Sequence, residues 1–264
     1  MRLIFAVVVL FLSGCTLNDE LNIDLPQEKK IYVLEGVLRN HYPLEMTFTE
    51  SNRINGSFFI NPVWLADIQI MQNGQSYFLN NFLYVRSSDS VLVNYYTSAP
   101  LNINIGEEVT MRAVSSGDTL TASAVRPKPI CLLDCSYNDG VLDILLDNNY
   151  HSNERFFRLT INAFLSDSQY ESYSDIFNCK NENSKEISIR ILLKKRDYRF
   201  LSVRIAHINE DYYQYLYSTG AAFNAYFDPF ITPTAIKSNV FGGIGIFTVI
   251  EETTVTLPLD TGRT

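Results

Sequence analysis

The chain has 264 residues, of which 46% are hydrophobic and 19% are charged, and its formal net charge is −8. This hydrophobic content excludes a chain that is disordered over most of its length. The acidic balance excludes a general nucleic-acid binder, which needs a basic face to neutralise phosphates, and the length suits one large domain or two smaller ones.

The N-terminus has the pattern of a lipoprotein signal peptide over residues 1–14. Arg2 precedes the apolar run Leu3–Leu12, which is too short to cross a bilayer whose hydrocarbon core is roughly 30 Å thick. The following L-S-G-C quartet looks like a bacterial lipobox, so we predict that Cys15 carries diacylglycerol and palmitate. The alternatives are an ordinary secretory signal with an unrelated cysteine and a buried N-terminal strand.

Residues 15–30 are polar and are predicted to tether the folded part to the lipid. The pair Asp19-Glu20 resembles the surface-export signals of Bacteroidota lipoproteins. These features together predict an outer-membrane protein, held by lipidated Cys15 and facing the cell exterior. The alternative interpretation of the acidic pair is a solvated linker, which leaves the periplasmic face open.

Residues 27–127 are predicted to form a β-sandwich domain of the immunoglobulin or fibronectin type. Strand-like stretches recur at spacings of roughly ten residues, with turn signals between them. Asn73-Gly74 favours a tight hairpin because this pair tolerates positive φ, and Ser115–Asp118 marks a second hairpin. The predicted strands are Ile31–Leu38, Leu44–Phe48, Ala66–Met71, Val91–Tyr96, Glu108–Val114 and Thr119–Val125.

The Arg126–Pro129 segment predicts a domain boundary, because alternate prolines cannot continue a strand ladder. Residues 130–258 are then predicted to form a second β-sandwich domain. The polar stretch Ser166–Glu186 is interpreted as a long loop, and one Tyr-rich helix is expected near residues 209–226 with Asn209 as its cap. The predicted strands are Val141–Asp147, Phe156–Leu165, Ile187–Leu193, Tyr198–Ile208 and Ile244–Val255.

The sequence contains no recognisable catalytic or metal-binding pattern. Its three histidines are far apart, and it has no HExxH, G-x-S-x-G or P-loop motif. The aspartates between Asp134 and Asp147 lack EF-hand spacing and fit solvated turns and strand edges better. We therefore predict a non-enzymatic protein without catalytic residues, metal or cofactor.

Two groups of residues point to structural or binding roles. An exported protein meets oxidising surroundings, so one disulfide is expected among Cys131, Cys135 and Cys179, either Cys131–Cys179 or Cys135–Cys179. A run of four tyrosines in the predicted helix cannot bury every ring on one helical face, so it is a candidate partner-binding surface, with packing at a domain seam as the alternative. These tyrosines are Tyr212, Tyr213, Tyr215 and Tyr217.

The layout as a whole resembles a family of Bacteroidota lipoproteins, the family numbered 4249 among domains of unknown function. The resemblance rests on the lipobox, the YVLEG strand Tyr32–Gly36, two β blocks, the Tyr-rich helix and the segment Ser238–Phe247. The family's C-terminal motif is matched by Ile236, Asn239, Val240, Gly245 and Phe247. Genes of this family often lie beside TonB-dependent transporters, so the resemblance implies such a transporter as partner and carries over no catalytic residue.

These observations predict a surface lipoprotein that acts as a non-catalytic accessory or ligand-capture subunit of a TonB-dependent transporter, with the ligand left open. A lipid and a flexible tether would raise the local concentration of the domains at the transporter. The first alternative is a structural or adhesin-like scaffold subunit of a surface assembly. An enzyme acting on glycan or peptide is the third hypothesis.

Overall fold

The computed structural model of the chain describes residues 30–51, 60–86, 91–149, 155–166, 169–180, 184–194, 197–228, 230–232 and 234–259. The predicted signal peptide, Cys15 and the tether up to residue 29 lie outside the described residues. The helix α1 spans Glu210–Phe227. The strands are β1 (Tyr32–Arg39), β2 (Pro43–Glu50), β3 (Asn61–Pro62), β4 (Asp67–Gln72), β5 (Gln75–Phe78), β6 (Asn80–Val85), β7 (Leu92–Pro100), β8 (Glu108–Ser115), β9 (Asp118–Val125), β10 (Leu132–Asn138), β11 (Val141–Asp147), β12 (Phe156–Phe164), β13 (Tyr170–Asn178), β14 (Glu186–Leu192), β15 (Phe200–Ile208) and β16 (Ile244–Pro258).

The protein is mainly β, with three sheets and one helix among the described residues. The largest sheet has nine strands, in the order β13-β12-β15-β16-β1-β2-β7-β6, with β3 paired to β2. A four-stranded sheet, β5-β4-β8-β9, shares a core with one half of it, and a three-stranded sheet, β10-β11-β14, shares a core with the other half. The predicted β-sandwich fold class is confirmed at this level.

Strand β16 links the two halves of the large sheet. Its first part, Ile244–Ile250, runs parallel to β1, and its second part, Glu251–Pro258, runs antiparallel to β15. The first part is buried on both faces, whereas the second alternates between half-buried and exposed residues. The sequence changes in the same way, from the apolar run Ile244–Ile250 to the alternating stretch Glu251–Pro258. A continuous apolar run is typical of a strand that is covered on both faces, and alternation is typical of a strand that is covered on one face.

At Gly245, the backbone of β16 lies very close to that of β1. The φ of Gly245 is +135°, in a region that side chains other than glycine rarely adopt, and an added Cβ would overlap the carbonyl oxygen of Leu34. Ser238 and Asn239 hold the entry to this strand. The Ser238 hydroxyl accepts hydrogen bonds from the backbone N–H groups of Val240 and Gly245, both at 3.1 Å.

The segment Arg126–Pro129, predicted as a domain boundary, is fixed against the large sheet. Arg126 donates to Glu251 of β16 at 2.5 Å and also to the carbonyl of Ile103, and both side chains of the ion pair are about 85% buried. The carbonyl of Lys128 lies 2.7 Å from Nδ1 of His207 on β15. The connection between the two sandwiches is therefore tied to the strands on which both of them rest.

Most predicted strands are present, and both predicted hairpins are confirmed. Asn73 and Gly74 have φ values of 49° and 76°, and Ser116 and Gly117 have φ values of 52° and 89°. The long loop predicted over Ser166–Glu186 is wrong, because residues 170–178 of that stretch form β13 along the whole length of β12. The strand is polar because it is an edge strand whose outer face points to solvent, so its sequence lacks the apolar content that marks a central strand.

Helix α1 begins where it was predicted to begin. The Asn209 side chain accepts a hydrogen bond from the backbone N–H of Tyr212 at 2.9 Å, and two acidic residues follow in the first turn, where the helix dipole favours them. The helix continues through Gly220 and packs on β16, β12 and β13. No helix in the described ranges is both long enough and apolar enough to cross a bilayer.

Candidate functional site: a groove beneath the helix

A groove of about 520 Å³ lies between α1 and the face of the large sheet that points away from both cores. On β1, Glu35, Val37 and Arg39 point into it and alternate with residues of the first core. The groove also takes residues from β2, β12, β13, β15, β16 and α1. It therefore spans the place where the two halves of the sheet join, and we call it the arginine groove because four arginines line it.

Two of these arginines share a single carboxylate. Nε of Arg204 lies 3.6 Å and Nε of Arg39 lies 3.9 Å from the carboxylate oxygens of Glu252. Both distances are longer than a hydrogen bond, so Glu252 is shared between two guanidinium groups without being tightly held by either. Nε of Arg39 is buried and has no hydrogen-bond acceptor among the described residues.

The strand register places Arg158 in the same region. Arg158 of β12 is opposite Ala206 of β15, and Ala206 is opposite Glu252 of β16. Arg204 lies two residues before Ala206, so it is a diagonal neighbour of Arg158 on the same face of the sheet. Alternate positions of four adjacent strands thus bring three positive charges to one end of the groove.

Two buried tyrosines of α1 form the roof of the groove. The Tyr212 hydroxyl accepts a hydrogen bond from Arg158 at 3.0 Å, and the Tyr215 hydroxyl donates to Glu35. Burial raises the pKa of both phenols, and the charge of Glu35 raises the pKa of Tyr215 further. Both hydroxyls therefore keep their protons at physiological pH and hold the charged residues below them in place.

The other two sides of the groove differ in character. At the β2 end, Glu45 accepts hydrogen bonds from Tyr84 and Arg86, both at 2.5 Å, so its charge is neutralised. At the β13 edge, hydroxyl and amide side chains stand opposite each other in the ladder, as Thr160 with Ser174 and Asn162 with Ser172. The groove thus has a positive end and an uncharged, hydroxyl-rich edge.

The four tyrosines predicted as a partner surface have different environments. Tyr212 and Tyr215 are buried in the cluster between α1 and the sheet. Tyr213 is half-buried and its ring lies 5.0 Å from that of Phe156, and Tyr217 stacks on Tyr213 at 6.3 Å and is 62% exposed. Of the four, Tyr217 offers the most surface to a partner.

Large aromatic side chains are exposed along the second half of α1 and just after it. Phe223 and Tyr226 both pack on Phe227, with ring centroids 4.9 and 5.0 Å apart. Clusters of exposed apolar residues mark interaction surfaces more often than scattered ones do. We call the exposed aromatic side chains of this stretch the aromatic patch. They are Tyr217, Phe223, Tyr226, Phe227 and Phe230, of which Phe223, Tyr226 and Phe227 contact one another.

The cysteines predicted to form a disulfide lie in the second sandwich, at or near its core. Cys135 and Cys179 both pack against that core, and Cys131 is exposed. Burial, together with the charge of Asp134, raises the pKa of the Cys135 thiol to about 11. The disulfide stays a prediction.

The clustered aspartates lie in strands and in a turn. Asp143 on β11 accepts a hydrogen bond from Arg190 on β14 at 2.6 Å, and Asp139 adopts positive φ in the turn with Gly140. These contacts match the interpretation of the cluster as strand edges and turns.

The model of a family described as a domain of unknown function, DUF4249, matches residues 18–256. The chain belongs to the DUF4249 family. The DUF4249 motif residues stand at the start of β16. Asn239 exchanges two hydrogen bonds with the backbone of Phe247, at 2.8 and 2.9 Å, while Val240 and Phe247 are buried in the first core. In this DUF4249 chain, Asn239 therefore holds the segment that precedes β16 against β16 itself.

No curated protein sequence matches the chain. Among solved structures, a chain titled "Cytokine receptor complex - Crystal form 1A" is similar at 8% sequence identity, with a TM-score of 0.29 over 87% of this chain and 98% of that one. This likeness is too low to inform the function.

Apart from Tyr212 and Tyr215, the groove residues were not among the candidates from sequence. Arg158, Thr160 and Asn162 alternate with buried residues along β12, which indicates a face outside the core. Alternation alone does not tell which strands become neighbours. Arg39, Arg158, Arg204 and Glu252 come together only through the pairing of β12 with β15 and of β1 and β15 with β16.

Proposed function

We propose that this protein is a lipid-anchored, non-catalytic capture subunit of a TonB-dependent transporter, held at the outer membrane and facing the cell exterior. The observation that carries the proposal is the arginine groove, a concave and charged site of the size that small ligands occupy, roughly 300–1,000 Å³. Its carboxylates contact tyrosine and arginine side chains, which fits a role in positioning other groups of the groove. The groove binds the ligand and the transporter takes it up.

The aromatic patch is the proposed contact with the transporter. It lies on the same helix that roofs the groove, so a partner bound there would be next to the captured ligand. Exposed aromatic side chains are enriched in the centres of protein interfaces because they bury a large area at low entropic cost. Tyr217 and Phe227 are 62% and 67% exposed.

The test is a mild-detergent purification of the tagged full-length protein from outer membranes, with co-purifying proteins quantified by mass spectrometry. We expect a TonB-dependent transporter at near-equal abundance and at least a tenfold loss of it when Tyr217→Ala and Phe227→Ala are combined. The matched control is Phe78→Ala, which removes an equally exposed ring from β5. Recovery of the lipoprotein alone, or with secretion or assembly components, would contradict the uptake role and favour the scaffold alternative.

The anchor is tested separately. Replacing Cys15 by Ala is expected to abolish incorporation of an alkyne-labelled palmitate and to move the protein from the membrane to the soluble fraction. Labelling that persists in Cys15→Ala would contradict the proposed lipidation site.

A further inference from the structure

The positive end of the arginine groove carries more cationic charge than the chain itself neutralises. Arg39 and Arg204 share the carboxylate of Glu252 at distances beyond a hydrogen bond. Arg158 has no carboxylate within 4 Å among the described residues, and its one hydrogen bond there goes to the neutral Tyr212 hydroxyl. The second carboxylate beneath the helix, Glu35, is bonded to Tyr215, so three arginines face two carboxylates here and one positive charge is left in excess, in a protein whose net charge is −8.

One donor at this end is also left without an acceptor. Nε of Arg39 is buried and makes no hydrogen bond within the described ranges. Buried polar groups in proteins are satisfied in the great majority of cases, and an unsatisfied one calls for an explanation. An anion at this end would supply both the acceptor and the negative charge, and arginine forks suit planar or tetrahedral oxyanions.

The neighbouring edge of the groove is suited to hydroxyl groups. Thr160, Asn162, Ser172 and Ser174 offer short side chains that both donate and accept hydrogen bonds. They lie in two adjacent strands and in register, so they form a continuous uncharged row beside the arginines. Val37, Ile246 and Ile250 line the floor between them and provide an apolar surface.

We infer that the arginine groove binds an anionic saccharide, with the carboxylate or phosphate of the sugar at Arg158, Arg204 and Arg39 and its hydroxyl groups along the β12–β13 row. The apolar floor would contact the C–H face of the sugar ring. An extended peptide would bind through a free strand edge, which here is the outer edge of β13, whereas the floor of the groove is a sheet face whose backbone groups pair within the ladders. The floor and the hydroxyl row therefore favour a sugar, and an acidic peptide is the competing probe in the test below. This inference rests on the proposed capture function.

Isothermal titration calorimetry on the full-length protein tests it, with four probes: trigalacturonic acid, its neutral methyl ester, glucose 1-phosphate and triglutamate. We expect one or both anionic sugars to bind at least tenfold more tightly than the methyl ester and triglutamate, and more weakly as salt is raised. The trigalacturonate and glucose 1-phosphate arms distinguish a carboxylate from a phosphate as the recognised group. Equal binding of the methyl ester, tighter binding of triglutamate, or no binding of either anionic sugar would overturn the inference.

Variants locate the site. Arg158→Gln is expected to weaken binding of the anionic sugar at least tenfold, whereas Arg112→Gln, the same charge change on the exposed side of β8, leaves it unchanged. Since Arg158 also contacts Tyr212, a second variant, Asn162→Ala, removes only a side chain at the edge of the groove and should weaken binding several-fold. Unchanged affinity in both groove variants would overturn the assignment.

The two proposals fail independently. Arg158→Gln is expected to recover the transporter as the unmodified protein does, because the aromatic patch is intact. Transporter recovery without anionic-sugar binding would refute the inference alone. Sugar binding in the groove without a transporter would refute the proposed partner and leave the ligand class standing.

Discussion

Gly245 determines whether β1 and β16 can pair. At this position β16 passes so close to Leu34 that no side chain fits, and the backbone has φ +135°. A conformation restricted to glycine is tolerated in a fold only where the surroundings require it. Here the requirement is the parallel pairing that joins the two halves of the large sheet.

We expect Gly245→Ala to destabilise the protein by about 3 kcal/mol or more, the sum of backbone strain and steric overlap. The control is Gly220→Ala in the exposed interior of α1, where an added methyl group meets nothing within 4 Å. That change should stabilise by about 0.5–1 kcal/mol, because alanine favours the helix. Urea denaturation of both variants measures the difference, and equal stabilities would contradict this role of Gly245.

Cys135 provides a prediction with a defined pH dependence. Burial raises the pKa of the Cys135 thiol from 9.0 to about 11, so the folded state favours the neutral thiol. The stability that this preference contributes is fully present below pH 9 and is lost as the pH rises through 11. The thiolate is the reactive form. At pH 8, iodoacetamide should therefore alkylate Cys135 about 100-fold more slowly in the folded protein than in urea. Equal alkylation rates in the two states would contradict this burial. If Cys135 is not alkylated in urea until a reductant is added, it is part of the predicted disulfide.

At the scale of elements, the sequence predicts what depends on local pattern. Alternation identifies β1, β8 and β11, the pair Asn73-Gly74 identifies a turn, and Asn209 identifies the start of α1. It fails for β13, whose polar residues are explained by its position at the edge of the sheet beside the groove. The arginine groove is missed for a related reason, because its residues come from strands that lie far apart in the sequence.

Helix α1 offers a matched test of its own docking. Tyr215→Phe removes the hydroxyl that is bonded to Glu35 and should cost about 1.5–3 kcal/mol, the usual range for a hydrogen bond to a charged group. Tyr217→Phe removes an exposed hydroxyl from the same helix and should change stability by less than about 0.5 kcal/mol. Thermal denaturation followed by circular dichroism compares them. A smaller loss for Tyr215→Phe than for Tyr217→Phe would contradict the roof role of Tyr215.

At the scale of the whole molecule, the two sandwiches are coupled through β16 and the Arg126–Glu251 ion pair. Each sandwich has its own core, but the strand that completes the first sheet half is continuous with the strand that completes the second. Two domains connected only by a loop can unfold separately, whereas a shared strand cannot leave one partner without weakening the other. The protein should therefore unfold as one cooperative unit.

Leu201→Ala tests this coupling, because Leu201 is fully buried in the second core and its truncation should cost about 2–5 kcal/mol. Trp64 is the only tryptophan of the sequence. It lies outside the first core but directly follows Val63, a residue of that core, so its fluorescence reports the unfolding of the first sandwich. In Leu201→Ala, we expect the midpoint temperature of thermal unfolding to fall by about 10 °C, and by the same amount whether it is followed by Trp64 fluorescence or by circular dichroism. A Trp64 midpoint that stays in place while circular dichroism shows an earlier second transition would mean that the sandwiches unfold independently.

The pairing of β1 with β16 also delays the completion of folding until late in synthesis. Val33 is synthesised early and its partner Ile244 late, so a nascent chain must wait with the edge of β1 open until almost all of the described chain has been delivered. Contacts this distant in sequence form slowly because a long loop must close first. Under the proposed export, this delay would keep the chain unfolded while it crosses a membrane. A product cut short before Ile244 would leave both sandwiches open and available to proteases.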